Sequence, residues 1–262
     1  MGKLTFLGTG TSTGVPLIGC DCPVCQSTNI KDKRLRSSIW VESGSASLLV
    51  DTSTDFRTQA LNAGIKSLDA VFYTHHHADH IHGIDDLRSF NFIGQGRIPC
   101  YGSSGTLRNI QTMFHYIFDG LPETGGGKPK LSLHSIDAPV VVKDMPVEPV
   151  RIMHGELPIF GYIFNKTAYL TDCSAIPEES MERLYGMDTI ILGALGLKSH
   201  PTHFTVEQAL EMLQELKPKQ GFLTHLNHVV GHDEVSGRLP GKSQFESQTI
   251  DRSFTSLALR SG

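Results

Sequence analysis

Short apolar runs rich in aromatic and β-branched residues recur along the chain, separated by glycine, proline and small polar residues. Residues 3–7, 38–42, 47–51, 70–73 and 98–101 read as strands on this pattern, with a hairpin turn between the second and third. Between them, 54–63 fits a short helix with Thr54 as cap and Gly64 as stop. Another short helix lies near 84–90, and 103–118 reads as a longer one. The second half repeats this order. Strands at 140–142, 147–153, 160–165, 168–171, 189–192 and 221–224 alternate with helices at 177–185 and 205–216, the latter capped by Thr205 and ended by Pro218. Residues 8–19 hold four glycines and read as a loop. Residues 120–130 read as a mobile surface connection or a lid. Two sheets facing each other, with helices outside, account for this order.

Composition narrows the class. The chain has 262 residues, 39% hydrophobic and 19% charged, which suits a soluble globular domain with a substantial core. A net charge of −4 leaves no basic face for an extended nucleic-acid footprint. No apolar run reaches the length of a membrane span. The opening MGKLTFLGTG lacks a signal-peptide core, and Phe6 stands where myristoylation needs Ser or Thr, so a cytoplasmic location is the expectation.

The chemistry concentrates after the strand at 70–73. There His75, His77, Asp79 and His80 follow one another as H-x-H-x-D-H. A tight loop at a strand end can fold such a set around a metal, and imidazole with carboxylate suits zinc, manganese or iron. The plainer reading is a solvated polar turn. Three further strand ends weigh against it: His154 follows VEPVRIM, Asp172 follows AYLT and His225 follows GFLT. Each alone is more often a turn or a hydrogen-bonded residue. Together they give seven donors, enough for two divalent ions, zinc or manganese. His75, His77 and His154 are assigned to the first ion, Asp79, His80 and His225 to the second, and Asp172 bridges them, leaving room for water.

A second cluster lies upstream. Cys20, Cys22 and Cys25 form C-x-C-x-x-C, which in a reducing compartment points to metal rather than disulfides. His228, three residues past His225, is the expected fourth ligand of a structural zinc. Cys100 is expected to pack as a small apolar residue. The run KDKRLR reads as a solvated surface, with Arg34 or Arg36 a lesser candidate for phosphate binding.

The stretch THHHADHIHG, with His154, Asp172 and His225 in order, resembles the signature of the metallo-β-lactamase fold superfamily. The resemblance runs from Leu4 to about Pro240 and implies a four-layer αββα sandwich with the site at one edge. His77, where an acidic residue marks the oxygen-reducing di-iron branch, resembles the hydrolases. GVPLIGCDCPVC, FGYIF, YLTD and LTHLNH resemble the PhnP-type phosphodiesterases, which carry a similar three-Cys-plus-His zinc beside a dinuclear centre. The resemblance implies hydrolysis of a small cyclic phosphodiester by a metal-bridged hydroxide. It makes Asp79 and His203 catalytic, the latter as an imidazolium beside the leaving oxygen, with His200 a weaker competitor. His76, His82, His115, His134 and His232 are expected to be exposed or to support the ligands.

Rival expectations are a thioester or lactone hydrolase on the same metals, an RNA-processing relative, or a non-catalytic module. The partner is a small-molecule phosphodiester, with neither membrane nor extended nucleic acid, and a homodimer is a candidate assembly. One domain is expected over 1–240. The tail 241–262 departs from the family, whose members end in a strand with an Asp-Gly pair, and puts that last strand in doubt.

Overall fold

The computed structural model describes residues 2–94, 96–121, 127–238, 245–247 and 256–259, the last two stretches and Arg238 as backbone only. The first half supplies β1 (Gly2–Gly8), β2 (Ser38–Glu42), β3 (Ser47–Val50), β4 (Ala70–Phe72), β5 (Ile98–Gly102) and β6 (Leu131–Ser135). The second supplies β7 (Val140–Val142), β8 (Met145–His154), β9 (Leu157–Phe164), β10 (Thr167–Leu170), β11 (Thr189–Gly193) and β12 (Gln220–Thr224). Two short strands follow, β13 (Phe245–Ser247) and β14 (Ser256–Leu259). Among the described residues these form two seven-stranded sheets, β14-β1-β2-β3-β4-β5-β6 and β13-β12-β11-β10-β9-β8-β7.

Each sheet combines antiparallel and parallel pairing. In the first, β1–β2 and β2–β3 are antiparallel, while β3–β4, β4–β5 and β5–β6 are parallel. In the second, β7 to β10 run antiparallel and β10 to β12 parallel. Both halves therefore turn from hairpins to crossovers partway along, and the crossovers need helices. α2 (Phe56–Ala63) and α5 (Ser104–Met113) cover the first sheet, and α7 (Glu178–Leu184) and α8 (Val206–Leu216) the second; α1 (Pro23–Gln26), α3 (Ala78–Ile81), α4 (Arg88–Phe92) and α6 (His115–Phe118) are shorter, and α9 (His232–Arg238) follows β12.

Strand side chains alternate between faces, which sorts the apolar residues into three cores. Leu48 and Val50 face the seam between the sheets, together with Phe6, Phe164 and Phe222. Leu49 of the same strand faces Phe56 and Ile110 beneath the first helical layer. Ile191 looks into the seam, whereas Ile190 and Leu192 pack under Leu210 and Leu213 of α8. Three cores between four layers make the chain an αββα sandwich.

Several elements differ from the sequence reading. The helix expected over 103–118 breaks at Phe114, whose φ of −111° and ψ of 41° leave α5 and α6 as separate pieces. The segment near 84–90 is a 3-10 turn, Ile84–Leu87, running into α4. Thr54 does not cap α2, which starts after Asp55, although Gly64 ends it at φ +69°. Thr205 caps α8 in a reciprocal capping box with Gln208. β6 was not expected, and part of the loop expected over 120–130 lies outside the described residues. In the segment beyond Pro240, β13 joins β12 in parallel and β14 joins β1 antiparallel. Cys100 is fully buried in the first sheet's outer core. No helix of the described residues is long and apolar enough to cross a membrane.

Candidate metal centre

The seven donors expected from sequence meet at one edge of the sandwich, where strands of both sheets end. His75, His77, Asp79 and His80 fill the turn after β4 and the first turn of α3, while His154 closes β8. Asp172 lies two residues past β10 and His225 one past β12, both with left-handed backbone, φ +54° and +63°. Such backbone in a residue other than glycine costs roughly 1–3 kcal/mol and is tolerated where the surroundings enforce it. Two glycines make the crowding feasible. A Cβ on Gly193 would lie 2.8 Å from the Asp172 nitrogen, and one on Gly83 would lie 2.2 Å from the Ser53 carbonyl oxygen. The sheets are tied together beside the site: Tyr162 donates its hydroxyl proton to the Tyr73 carbonyl at 2.7 Å, and Phe160 N–H donates to Thr74 O.

The donor atoms fall into groups that lie within 4.8 Å of one another: His75, His77 and His154; and Asp79, His80, Asp172 and His225. Asp172 reaches both. Its Oδ2 is 3.9 Å from His75 Nε2 and 3.1 Å from His225 Nε2, and its Oδ1 is 3.3 Å from His80 Nε2. Asp79 Oδ2 lies 3.2 Å from His80 Nε2 and 3.6 Å from His225 Nε2.

The far sides of the rings are fixed. His154 Nδ1 sits 2.8 Å from the Thr202 carbonyl, which can only accept, so that nitrogen carries the proton and Nε2 is left bare. Thr74 donates its hydroxyl proton to Asp51 Oδ2 and thus accepts from His75 Nδ1 at 3.0 Å. His80 Nδ1 lies 2.7 Å from Asp51 Oδ2. Asp51 is therefore a residue the sequence reading passed over as a strand end. It is wholly buried, takes φ +62°, accepts from Thr74 N–H, and orients two of the rings. A charged residue closing an apolar strand, the strand that precedes the one leading into the His cluster, was the signal available.

These residues fit divalent metal ions. His75 Nε2, His80 Nε2 and both nitrogens of His225 are buried without a hydrogen bond among the described residues, although carboxylate oxygens stand close by. Imidazole nitrogens turned toward carboxylates without hydrogen-bond geometry are arranged for a cation between them. The electrostatics agree. Burial alone would lower His80, yet Asp79, Asp172 and Asp51 hold it well above the usual imidazole range. Burial would likewise raise Asp172, but His225 and then His80 hold it well below the usual carboxylate range. Burial keeps His75 and His77 low, as neutral ligands must be.

His203 also reaches this edge. Phe204 N–H donates to Cys173 O at 2.7 Å and Leu195 N–H to Phe204 O at 2.9 Å, folding the 195–204 segment over Asp172. The His203 ring stacks on His225 at 4.9 Å and lies 4.6 Å from His154. Burial, then His225, lowers it to about 3, so the resting ring is neutral rather than the imidazolium expected. His200 is exposed and turned to the Thr202 hydroxyl, 3.1 Å from its Nδ1. Of the remaining histidines, expected to be exposed or to support the ligands, His232 is buried, and His82 stacks edge-on against Phe114.

Cys20, Cys22, Cys25 and His228 form a separate donor group. His228 Nδ1 lies 3.3 Å from Cys20 Sγ and 3.5 Å from Cys22 Sγ. The Cys25 backbone N–H, aided by His228, lowers Cys22 to about 6, whereas burial raises Cys25 to about 11. Neither arginine offered for phosphate is available. Arg36 pairs with Asp55 at 3.0 Å, and the Arg34 guanidinium is buried.

Comparison with known proteins supplies the lineage. The beta-lactamase superfamily domain model matches residues 47–226. A new diphosphatase from the PhnP family, known by its crystal structure, is 39% identical with a TM-score of 0.89, over 99% of this chain and 98% of that one. An octanoyltransferase of Porphyromonas gingivalis is 42% identical over 228 residues, 86% of this chain and 46% of that protein. A ribonuclease Z of Bacillus subtilis (strain 168) is 29% identical over 167 residues, 61% of this chain and 48% of that protein. The chain thus spans about half the length of these two curated relatives.

Proposed function

Because the chain belongs to the metallo-β-lactamase superfamily and resembles its PhnP-type members, we propose that this hydrolase cleaves small phosphodiesters, including cyclic ones, at the seven-donor centre. The observation that carries the reading is Asp172, whose carboxylate touches histidines of both donor groups. His75, His77 and His154 would hold one ion and Asp79, His80 and His225 the other, with Asp172 within reach of both groups. The ions are zinc or manganese. When bound they would lower the pKa of a water and neutralise charge on the phosphoryl oxygens.

The chain's residues do the rest. Asp51, Thr74 and the Thr202 carbonyl keep the ligand rings aimed and hold the Nδ1 protons away from the reacting centre. Water attacks phosphorus: one P–O bond forms, the bond to the leaving oxygen breaks, the attacking water gives a proton to solvent and the departed oxygen takes one up from solvent. The neutral His203 ring donates its N–H to that oxygen as charge builds there. A cavity of about 360 Å³ opens beside His75, lined by Arg108, Asn109, Arg151 and Phe160. It suits a small anionic molecule, and none of the described residues lining it carries a carboxylate. A larger cavity of about 680 Å³ near Arg97 and Phe118 meets none of the ligands. Cys20, Cys22, Cys25 and His228 would hold a structural zinc pinning the N-terminal loop beside His225.

Turnover of bis(p-nitrophenyl) phosphate by the metal-loaded protein tests this. His203→Ala is expected to lower kcat by roughly 10²-fold with KM little changed, the usual size of losing one hydrogen-bond donor aimed at a developing oxyanion. Full activity in that variant removes His203 from the reaction. The 42% identity to an octanoyltransferase keeps acyl chemistry as a second reading. p-Nitrophenyl octanoate, assayed in parallel, separates the two.

A further inference from the structure

The basic run at 31–36 turns out to be only partly solvated, and its buried member sits between the two donor clusters. Arg34 has a fully buried side chain. Its Nη1 donates to Asn227 O at 3.0 Å and its Nη2 to Val230 O at 2.9 Å. Asp32 Oδ1 stands 3.6 Å from Nη2 and accepts from His232 N–H at 2.7 Å. The backbone of Arg34 meanwhile pairs with Val15 in both directions at 2.8 Å, on the loop that leads to Cys20. Lys33 adds a bond from Nζ to the Cys25 carbonyl at 2.9 Å. One short segment thus grips the cysteine loop with its backbone and the 227–230 loop with its side chain. That second loop carries His228 and begins two residues past His225.

We propose that Arg34, backed by Asp32, is a positioning residue that sets the 227–230 loop so that His225 faces the dinuclear centre and His228 faces the cysteines. It rests on the metal assignments of the proposed function. A guanidinium is well suited to this role, because its rigid planar fork holds two carbonyls in a fixed geometry, whereas a lysine ammonium is a point charge on a flexible stem. Burying a charge with one carboxylate near it and an Nε that finds no partner among the described residues is unfavourable. Such an arrangement is kept where geometry matters more than stability. The clamp acts before any ion binds, so both clusters are preorganised by the same side chain.

The test reads zinc rather than turnover. In the full chain, Arg34→Met is expected to release zinc to a chromogenic chelator at least 10-fold faster than wild type and to need about 10-fold more free metal for half-maximal occupancy. Arg34→Lys should fall between them. Ile110→Ala, in the core beneath α5 and outside the cluster that holds Leu226 and Val230, supplies a destabilised control that should release zinc at the wild-type rate. Asp32→Asn, which keeps the arginine, should shift release in the same direction by about 3-fold and decides the matter if Arg34→Met does not fold. Wild-type release in Arg34→Met, or in Asp32→Asn where it stands in, overturns the proposal. So does an equal acceleration in Ile110→Ala. Because no substrate enters the measurement, a protein inactive on phosphodiesters still answers the question.

Discussion

Asp172→Asn is expected to lower kcat on bis(p-nitrophenyl) phosphate by roughly 10³-fold, because several kcal/mol of charge stabilisation depends on both ions being in place. Asparagine is the informative choice. The position takes φ +54°, which Asn accepts and Ala does not accept well, so the fold is kept while the bridging charge is lost. Bound metal in the variant should fall by at least one ion per chain. The neighbouring imidazoles then lose the anion that lies 3.1 Å from His225 Nε2 and 3.3 Å from His80 Nε2. If Asp172→Asn keeps its metals and more than a tenth of wild-type kcat, the bridging role is wrong.

Cys22→Ser is expected to remove one zinc per chain and to lower Tm by roughly 10 °C, with catalytic metal lost only secondarily. Cys22 is the residue through which the small cluster is most tightly drawn. Its thiol lies 3.5 Å from His228 Nδ1 and also meets the His228 carbonyl at 3.3 Å, while Cys25 N–H points at its sulfur. A serine hydroxyl at this place keeps the hydrogen bonds and discards the thiolate. A variant with unchanged Tm and full zinc content would make the cysteines bystanders. Because Arg34 holds the same loops without metal, the loss should be a partial loosening of the N-terminal loop rather than global unfolding.

What the sequence disclosed and what it hid divide along physical lines. Short continuous apolar runs with branched residues, such as β3 and β11, were legible because each buries both faces between a helix layer and the seam. The ligands were legible because they stand at the ends of such strands, where layered folds bring chain ends together. β6 was hidden: its sequence LSLHS is half polar, and its pairing with β5 comes from a partner distant in the chain. The break at Phe114 was hidden as well, since apolar spacing continues across it. Asp51 looked like the polar end of a strand, and only the folded chain shows it holding His80 and Thr74. Arg34 looked solvated amid Lys31, Lys33 and Arg36, because periodicity along a short loop does not reveal which cation turns inward. The tail's pairing was hidden for the same reason as β6: strand addition at a sheet edge needs backbone more than pattern.

The central claim is that His75, His77, Asp79, His80, His154, Asp172 and His225 hold two ions that share Asp172. Anomalous diffraction at the metal absorption edges, from crystals of the metal-loaded protein, tests it most directly. The account predicts two peaks in contact with Asp172 and a third among Cys20, Cys22, Cys25 and His228. An anomalous map with no peak in contact with Asp172 would contradict it.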